Sequence, residues 1–531
     1  MEDTGLKLRS IRTRLSRQSY AAPDQQAGTN GDTKLLKEWP GADDSAWLVH
    51  DEPVSPAGRV FLQSSFNAHI IVILGSEVPI NVDVLKLGIR NTLLKHKRFR
   101  SVIRTNQKGN LHWAPVTVNL DDHIIIAGSD DVNSPTFVEA YAAQLAQAPP
   151  LEPSRPLFEF HIVRAKLGDA TENVILRAHH VLGDGTSLMS LLLACTRKAE
   201  DPQSLPTVPT QRNRIRKKLS TLKAFFLFLW KSLLILWYTL FDVCIFTATT
   251  IWLNDSQTPL KGKRGVEKLP RKLAHRDLSM DDIKAIKSVT GGTVSDVVFG
   301  MVAAGLSRYL QQRYAEEMNC QGLSSMKMIF EDKHSKKIMK KKRLDYLRVR
   351  ACIMVNLRKS PGLQELERMM NGGPEVRWGN QMSYSILPVP VAIFDNPLEY
   401  VVRSKSIIDK KKVSLGALFA YQSGTMLMNL VGSEMPTRLT LNCSDHTTLA
   451  FSSVFGPLEQ VEFFGHKITH IIPTVVGQPQ ALCVHVQTYM GKATVVVCTA
   501  MDVIPDPERL CENIGDALKS MKQQLSNESI K

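Results

Sequence analysis

His179-His180-Val181-Leu182-Gly183-Asp184-Gly185 is the stretch whose reading decides the fold. The preceding residues, Asn173-Val-Ile-Leu-Arg-Ala178, read as a short, largely apolar strand. Those that follow, Thr186-Ser-Leu-Met-Ser-Leu-Leu-Leu-Ala194, read as a helix opened by Asp184 or Thr186 as N-cap. Paired histidines therefore fall at a strand-to-helix junction. Neighbouring strand side chains point to opposite faces, so one histidine is expected to meet a cavity and the other to pack. An imidazole titrates near neutrality and can take a proton from a hydroxyl and return it to a leaving group. Asp184 is expected to hold the turn by accepting hydrogen bonds or by pairing with an arginine. Gly185 is expected to supply a backbone angle closed to other residues. A serine-hydrolase relay is the weaker reading, because the chain has no Gly-x-Ser-x-Gly elbow. The bland alternative is a pair of core histidines beside an ordinary Asp-Gly turn.

Further blocks follow in order: Glu52-Pro53-Val54-Ser55-Pro56, Pro156-Leu157-Phe158-Glu159, Val355-Asn356-Leu357-Arg358, Trp378-Gly379-Asn380 and Ser452-Ser453-Val454-Phe455-Gly456-Pro457. With the histidine motif, this succession resembles the wax ester synthase/diacylglycerol acyltransferase family in its plant form, a branch of the CoA-dependent acyltransferases. The resemblance runs from about Glu52 to the C-terminus. Two blocks depart from the family pattern: Ser295-Asp296 stands for an Asn-Asp pair, and Ser453 and Phe455 replace other residues in the Ser452 to Pro457 block. Serine keeps a donor and an acceptor but loses the reach of an amide.

The resemblance implies an α/β (α+β) fold of two subdomains like chloramphenicol acetyltransferase, with mixed sheets and helices around a central channel. It also implies that His180 faces the channel as general base, supported by His179, with Asp184 orienting and Gly185 at the turn. Pro53, Pro56, Ser295, Asp296, Asn356, Arg358, Asn380, Ser452 and Gly456 become channel candidates. Asp296 reads equally well as a helix N-terminal acid. Acyl-CoA is the implied co-substrate; neither a metal nor a further cofactor is expected.

Composition agrees with two large domains: 531 residues, 43% hydrophobic, exceed one ordinary core. The eight cysteines lie apart, at 195, 244, 320, 352, 443, 483, 498 and 511, without a Cys-x-x-Cys pair. Neither a zinc site nor a disulfide framework is indicated. Residues 1–43 are polar, with no apolar core like that of a signal peptide, and read as a disordered extension. The expected organisation is then an N-terminal acyltransferase subdomain over 44–210, a basic linker with an apolar membrane-associated segment over 211–268, and a C-terminal subdomain over 269–531. Strands are expected at 69–74, 159–164, 349–357, 381–394, 481–487 and 494–498. Helices are expected at 82–96, 294–313 and 506–525, and Ser279 with its following acids opens another.

Residues 224–253 carry only two charges, Lys231 and Asp242, and are long enough to cross a bilayer, which takes about 20 apolar residues. A single crossing would separate two halves that share one channel. Lys231, Tyr238 and Asp242 fall on nearly one helical face, and both flanks are basic. These features suit a helix lying in the interface or a re-entrant hairpin, both ends cytosolic. A buried core helix is the bland reading.

The net charge is +15 with pI near 9.3. The cations cluster beside the apolar segment and in Lys333 to Arg343, with no nucleic-acid motif beside them. They are expected to meet anionic lipid headgroups, and some of them CoA phosphates. The leading expectation is acyl transfer from long-chain acyl-CoA to a fatty alcohol, to diacylglycerol, or to both, at the cytosolic side of the endoplasmic reticulum or plasma membrane. The alternatives are a soluble-type alcohol acyltransferase of specialised metabolism and a degenerate, non-catalytic lipid-binding membrane protein.

Overall fold

The computed structural model describes residues 52–529 apart from 65, 108, 128–135, 210–220, 321–343, 345, 358–362 and 377. The expected N-terminal extension, the basic residues 212–218, the run 333–343 and Arg358 lie outside the described residues.

The chain opens with α1 (Pro56–Phe61), β1 (His69–Ser76), α2 (Val82–Asn91), β2 (Ser101–Thr105), β3 (Leu111–Pro115), β4 (Ile124–Ala127) and α3 (Phe137–Gln144). β5 (Phe158–Val163), β6 (Glu172–His179), α4 (Gly185–Ala194) and β7 (Arg197–Lys198) follow. Strand β1 is an unbroken apolar run because both of its faces are covered. Ile70, Val72 and Leu74 point to one side, with Leu85 and Ile89 of α2 and Leu188 and Leu192 of α4. Ile71 and Ile73 point to the other, with Val138 and Ala142 of α3. This period of two sets which face each histidine at the end of β6 will take. The helix expected over 82–96 ends at Asn91 and continues as two short 3-10 turns.

A long helix, α5 (Thr221–Ile251), leads to β8 (Arg271–Ser279), α6 (Met280–Thr290), α7 (Val294–Cys320), β9 (Arg350–Asn356), α8 (Leu363–Met370) and β10 (Met382–Pro388). Strand β10 stops short of the expected 394 because Pro388 and Pro390 interrupt ladder donors. Three helices then pack on α5: α9 (Glu399–Val413), α10 (Gly416–Val431) and α11 (Glu434–Asp445). The chain closes with β11 (Leu449–Phe455), β12 (Val461–Phe463), β13 (His466–Val476), β14 (Leu482–Tyr489), β15 (Lys492–Ala500) and α12 (Pro507–Ser529).

Two mixed sheets result, ordered β4-β5-β6-β1-β13-β12-β7 and β10-β9-β11-β14-β15-β8. Residues 461–476 thus lie in the first sheet, β13 antiparallel to β1, although they come late in the chain. Strand β11 runs parallel to both β9 and β14, which places Ser452 beside His485. The second sheet has its own core, in which Phe299, Val302 and Leu306 of α7 meet Leu449, Val484 and Val495.

The apolar segment is one helix without a break, 31 residues and about 46 Å long at 1.5 Å per residue. It contains neither Gly nor Pro, so nothing interrupts its ladder; the hairpin form expected as one possibility does not occur. It is not a core helix either, since Phe228 is 69% and Trp237 65% exposed. Its C-terminal end is fixed to the body by Arg350, which donates to Thr249 Oγ1, the Leu253 carbonyl and the buried Asp255 carboxylate. Asp242 pairs with Lys411 of α9 at 2.6 Å, while Lys231 is exposed.

Candidate active site

The turn after β6 separates the two histidines. His179 accepts a hydrogen bond from the Val181 amide at Nδ1 (3.1 Å), and its Nε2 lies 3.0 Å from the Asn67 side-chain oxygen. One tautomer satisfies both contacts: Nδ1 bare and Nε2 protonated. Burial, with His180 and Arg177 adding to it, pushes the His179 pKa down to about 3. His180 turns the other way, stacks on Phe61 with ring centroids 4.2 Å apart, and lines a cavity of about 530 Å³. It is 1% exposed, and burial lowers its pKa while Asp184 opposes that shift. Both rings are therefore held neutral, the form that accepts a proton.

Asp184 caps α4. Its Oδ1 accepts from the Ser187 amide (2.8 Å) and hydroxyl (2.7 Å), which is the hydrogen-bonding alternative of the two expected for it. The arginine at this turn, Arg98, instead donates to the Leu182 carbonyl at 2.8 Å and pairs with Glu52. Gly185 corrects the sequence reading: it is the first helical residue and has no positive φ. Gly185 lines the cavity, and a Cβ there would meet nothing within 4 Å. The tight contact falls at Gly183, whose Cβ would lie 2.9 Å from the Trp378 ring.

The Trp378-Gly379-Asn380 block wraps the outside of this turn. Trp378 donates its indole N–H to the Ser187 carbonyl (3.0 Å), and the Gly379 carbonyl accepts from the Ser187 hydroxyl (3.0 Å). Asn380 donates to the carbonyls of His180 (2.8 Å) and Val181 (3.0 Å). Gly379 has φ +106, and a Cβ there would collide with Arg98. Arg98 and residues 378–380, two parts of the chain remote from it in sequence, thus fix the backbone that carries His180.

The expected channel residues divide by place. Ser295 at the start of α7, Asn356 at the end of β9 and Ser452 in β11 line the cavity with His180. Asp296 lies just behind: its Oδ2 accepts from the Thr293 amide (2.6 Å) and hydroxyl (2.8 Å), the helix N-terminal arrangement. Asn380 sits behind the histidine turn. Pro53 bridges to His112, away from the cavity, and Pro56 lines a second pocket. Gly456 packs its backbone against Thr488, where a Cβ would come within 2.2 Å of a carbonyl oxygen.

Sequence reasoning missed His485, which lines the cavity beside Ser452 and whose pKa burial pushes down to about 4. It missed Lys411, Lys412 and Asp242 on the cavity wall as well. His485 carries no motif, only its alternate position in a buried strand. The Arg98–Glu52 pair spans 46 residues and leaves no local pattern.

Two sheets meeting at a buried histidine motif define a class of fold. A wax ester synthase/diacylglycerol acyltransferase from Marinobacter aquaeolei superposes with TM-score 0.53 at 15% identity, covering 89% of this chain and 99% of that one. The first condensation domain of the calcium-dependent antibiotic synthetase superposes with TM-score 0.51 at 14% identity, covering 89% and 96%. Sequence narrows the class. Residues 87–298 match the wax ester synthase/diacylglycerol acyltransferase catalytic domain, and residues 378–522 match the WS/DGAT C-terminal domain. Wax ester synthase/diacylglycerol acyltransferase 5 of Arabidopsis thaliana is 38% identical over 491 residues, 89% of this chain and 93% of its own length. Wax ester synthase/diacylglycerol acyltransferase 11 of the same plant is 38% identical, covering 89% and 95%. The chain belongs to the wax ester synthase/diacylglycerol acyltransferase family and is an acyltransferase.

Proposed function

We propose that the protein transfers a long-chain acyl group from acyl-CoA to a fatty alcohol, giving a wax ester, or to diacylglycerol, giving triacylglycerol. The observation that carries the mechanism is the asymmetry of the two histidines. His179 has both ring nitrogens engaged in the fold, whereas His180 presents a neutral ring to the cavity. His180 takes the hydroxyl proton of the acceptor as its oxygen attacks the thioester carbonyl carbon. The C–O bond forms, the tetrahedral intermediate collapses, the C–S bond breaks, and the imidazolium returns the proton to the CoA thiolate. The scheme calls for neither an acyl-enzyme nor a metal. Asp184, Asn380 and Arg98 hold the turn, and Ser295, Asn356 and Ser452 offer polar groups along the cavity wall.

The two halves, 44–210 and 269–531, act together at this cavity, and 211–268 attaches them to the cytosolic face of the endoplasmic reticulum or plasma membrane. The exposed aromatic and aliphatic side chains of α5 support attachment. Its packing supports an in-plane or half-inserted helix. From Ser232 to Thr250 one face rests on α9 to α11, and the residues that stand clear of the body, 222–231, span about 15 Å, half of a roughly 30 Å hydrocarbon layer.

The test supplies radiolabelled palmitoyl-CoA to membranes containing the protein, with hexadecanol or with dipalmitoylglycerol. Labelled hexadecyl hexadecanoate or tripalmitoylglycerol above the level of membranes lacking the protein is the expected result. Neither product, with folded protein present, overturns the proposal.

A further inference from the structure

A second pocket of about 360 Å³ lies between the apolar helix and the catalytic body. Its walls come from α1, the C-terminal part of α5, α10, α11 and the edge strand β10. None of its lining side chains is charged. Three of the eight hydroxyls among them bond back within their own helices: Thr250 donates to the Phe246 carbonyl (2.9 Å), Ser423 to Phe419 (2.8 Å) and Thr440 to Pro436 (2.9 Å). A side chain bonded back to its helix presents carbon to the pocket and asks for no polar partner. With no charged side chain and mostly apolar lining, the wall suits a hydrocarbon better than a phosphate.

This pocket and the reactive cavity share a partition. Met382 and Tyr384 of β10 line both. Met382 is an adaptable partition, because an unbranched thioether changes rotamer at little cost. The helices that bound the pocket also carry exposed apolar side chains. Helix α10 has no charged residue in its 16 positions, and Met426 (64%), Leu430 (68%) and Val431 (53%) are exposed on it. Leu240 and Phe241 of the neighbouring α5 are 57% and 58% exposed. At 16 residues, about 24 Å, α10 is too short to cross a bilayer and suits one leaflet. Inside α10, Gly424 faces the pocket with nothing within 4 Å of an added Cβ, and Ala420 stands one turn earlier on the same wall. Small residues on that face keep the space open.

We propose that the pocket bounded by α5, α10 and α11 holds the hydrocarbon tail of the long-chain acceptor, which enters sideways from the membrane leaflet and reaches His180 past Met382 and Tyr384. The proposal rests on the acyl-transfer reading for its acceptor, but the pocket's occupancy can be read without turnover. Acyl-CoA, being water-soluble at its headgroup, approaches by the other side of the cavity.

The test fills the pocket with Gly424→Leu, and separately with Ala420→Leu, in the full-length protein. Leucine is a better helix former than glycine, so the first change does not weaken α10 as a helix. With palmitoyl-CoA as donor, the ratio of kcat/KM for hexadecanol to that for hexanol should fall tenfold or more in both variants, through KM for hexadecanol. An unchanged ratio, or a rise in the KM for palmitoyl-CoA in place of that for hexadecanol, overturns the assignment. Photolabelling with a diazirine-bearing hexadecanol gives the turnover-independent arm. Label should appear on peptides of α10 and α11 in the wild type and equally in His180→Ala, and be lost in Gly424→Leu. Label absent from those helices in the wild type overturns the pocket even if acyl transfer is found. Label present in a protein that transfers no acyl group leaves the pocket standing and removes the acyl-transfer reading.

Discussion

At the scale of single residues the account turns on burial. His179 and His485 are held neutral chiefly by loss of water, with pKa values pushed down to about 3 and about 4. In the unfolded chain a histidine binds its proton near pH 6.5. Below that value the unfolded state therefore holds more protons than the folded one, and stability falls with acidification. For His485 the loss runs from pH 6.5 down to about 4, at a limiting slope of about 1.4 kcal/mol per pH unit. His485→Gln should flatten the fall of unfolding free energy between pH 6 and 4.5 by up to that amount, measured by denaturant unfolding in detergent micelles. An identical slope in the variant would show that His485 is not neutral in the fold. The histidine pair was legible in the sequence because its spacing to Asp-Gly is a pattern. His485 was not, because a lone histidine in an alternating strand looks like any buried polar residue. Gly185 was misread for a related reason: sequence shows that glycine is present, and only coordinates show whether it serves an angle or a space.

At the scale of elements, those with a strong period were readable and those defined by their partners were not. Strands β1, β6, β14 and β15 announce themselves by apolar runs, and α6 by its Ser279 cap, whose hydroxyl accepts from the Asp282 amide at 3.2 Å. Helices α9, α10 and α11 escaped the reading, since α10 is apolar on a face that is exposed in the folded chain and so lacks an ordinary amphipathic pattern. The form of α5 was also open until its packing was known. With one face against the body along most of its length, α5 should leave both flanks on the same side of the membrane. Glycosylation acceptor sites placed near Gln203 and near Gly291 should both remain unmodified in endoplasmic reticulum membranes. Modification of one flank alone would establish a full crossing and contradict this placement.

At the scale of the whole molecule, the catalytic turn is an assembly of distant pieces. Strand β6 brings the histidines, Arg98 comes from the region before β2, Asn380 from the approach to β10, and β13 returns across some 390 residues to pair with β1. The order of the sequence blocks was visible, but their meeting around one turn was not. Register between remote strands depends on which apolar faces fit, and that information is not local. The central claim is that this assembly divides two adjacent histidines into one that packs and one that reacts. The direct measurement compares acyl transfer and thermal unfolding of the wild type, His179→Ala and His180→Ala in the same membranes. His180→Ala should lose about 10² to 10⁴-fold in kcat with its unfolding temperature preserved, the usual worth of a general base. His179→Ala should lose activity only in proportion to lost folded protein. Retained turnover in His180→Ala, or equal loss of turnover in both variants with both well folded, would contradict the account.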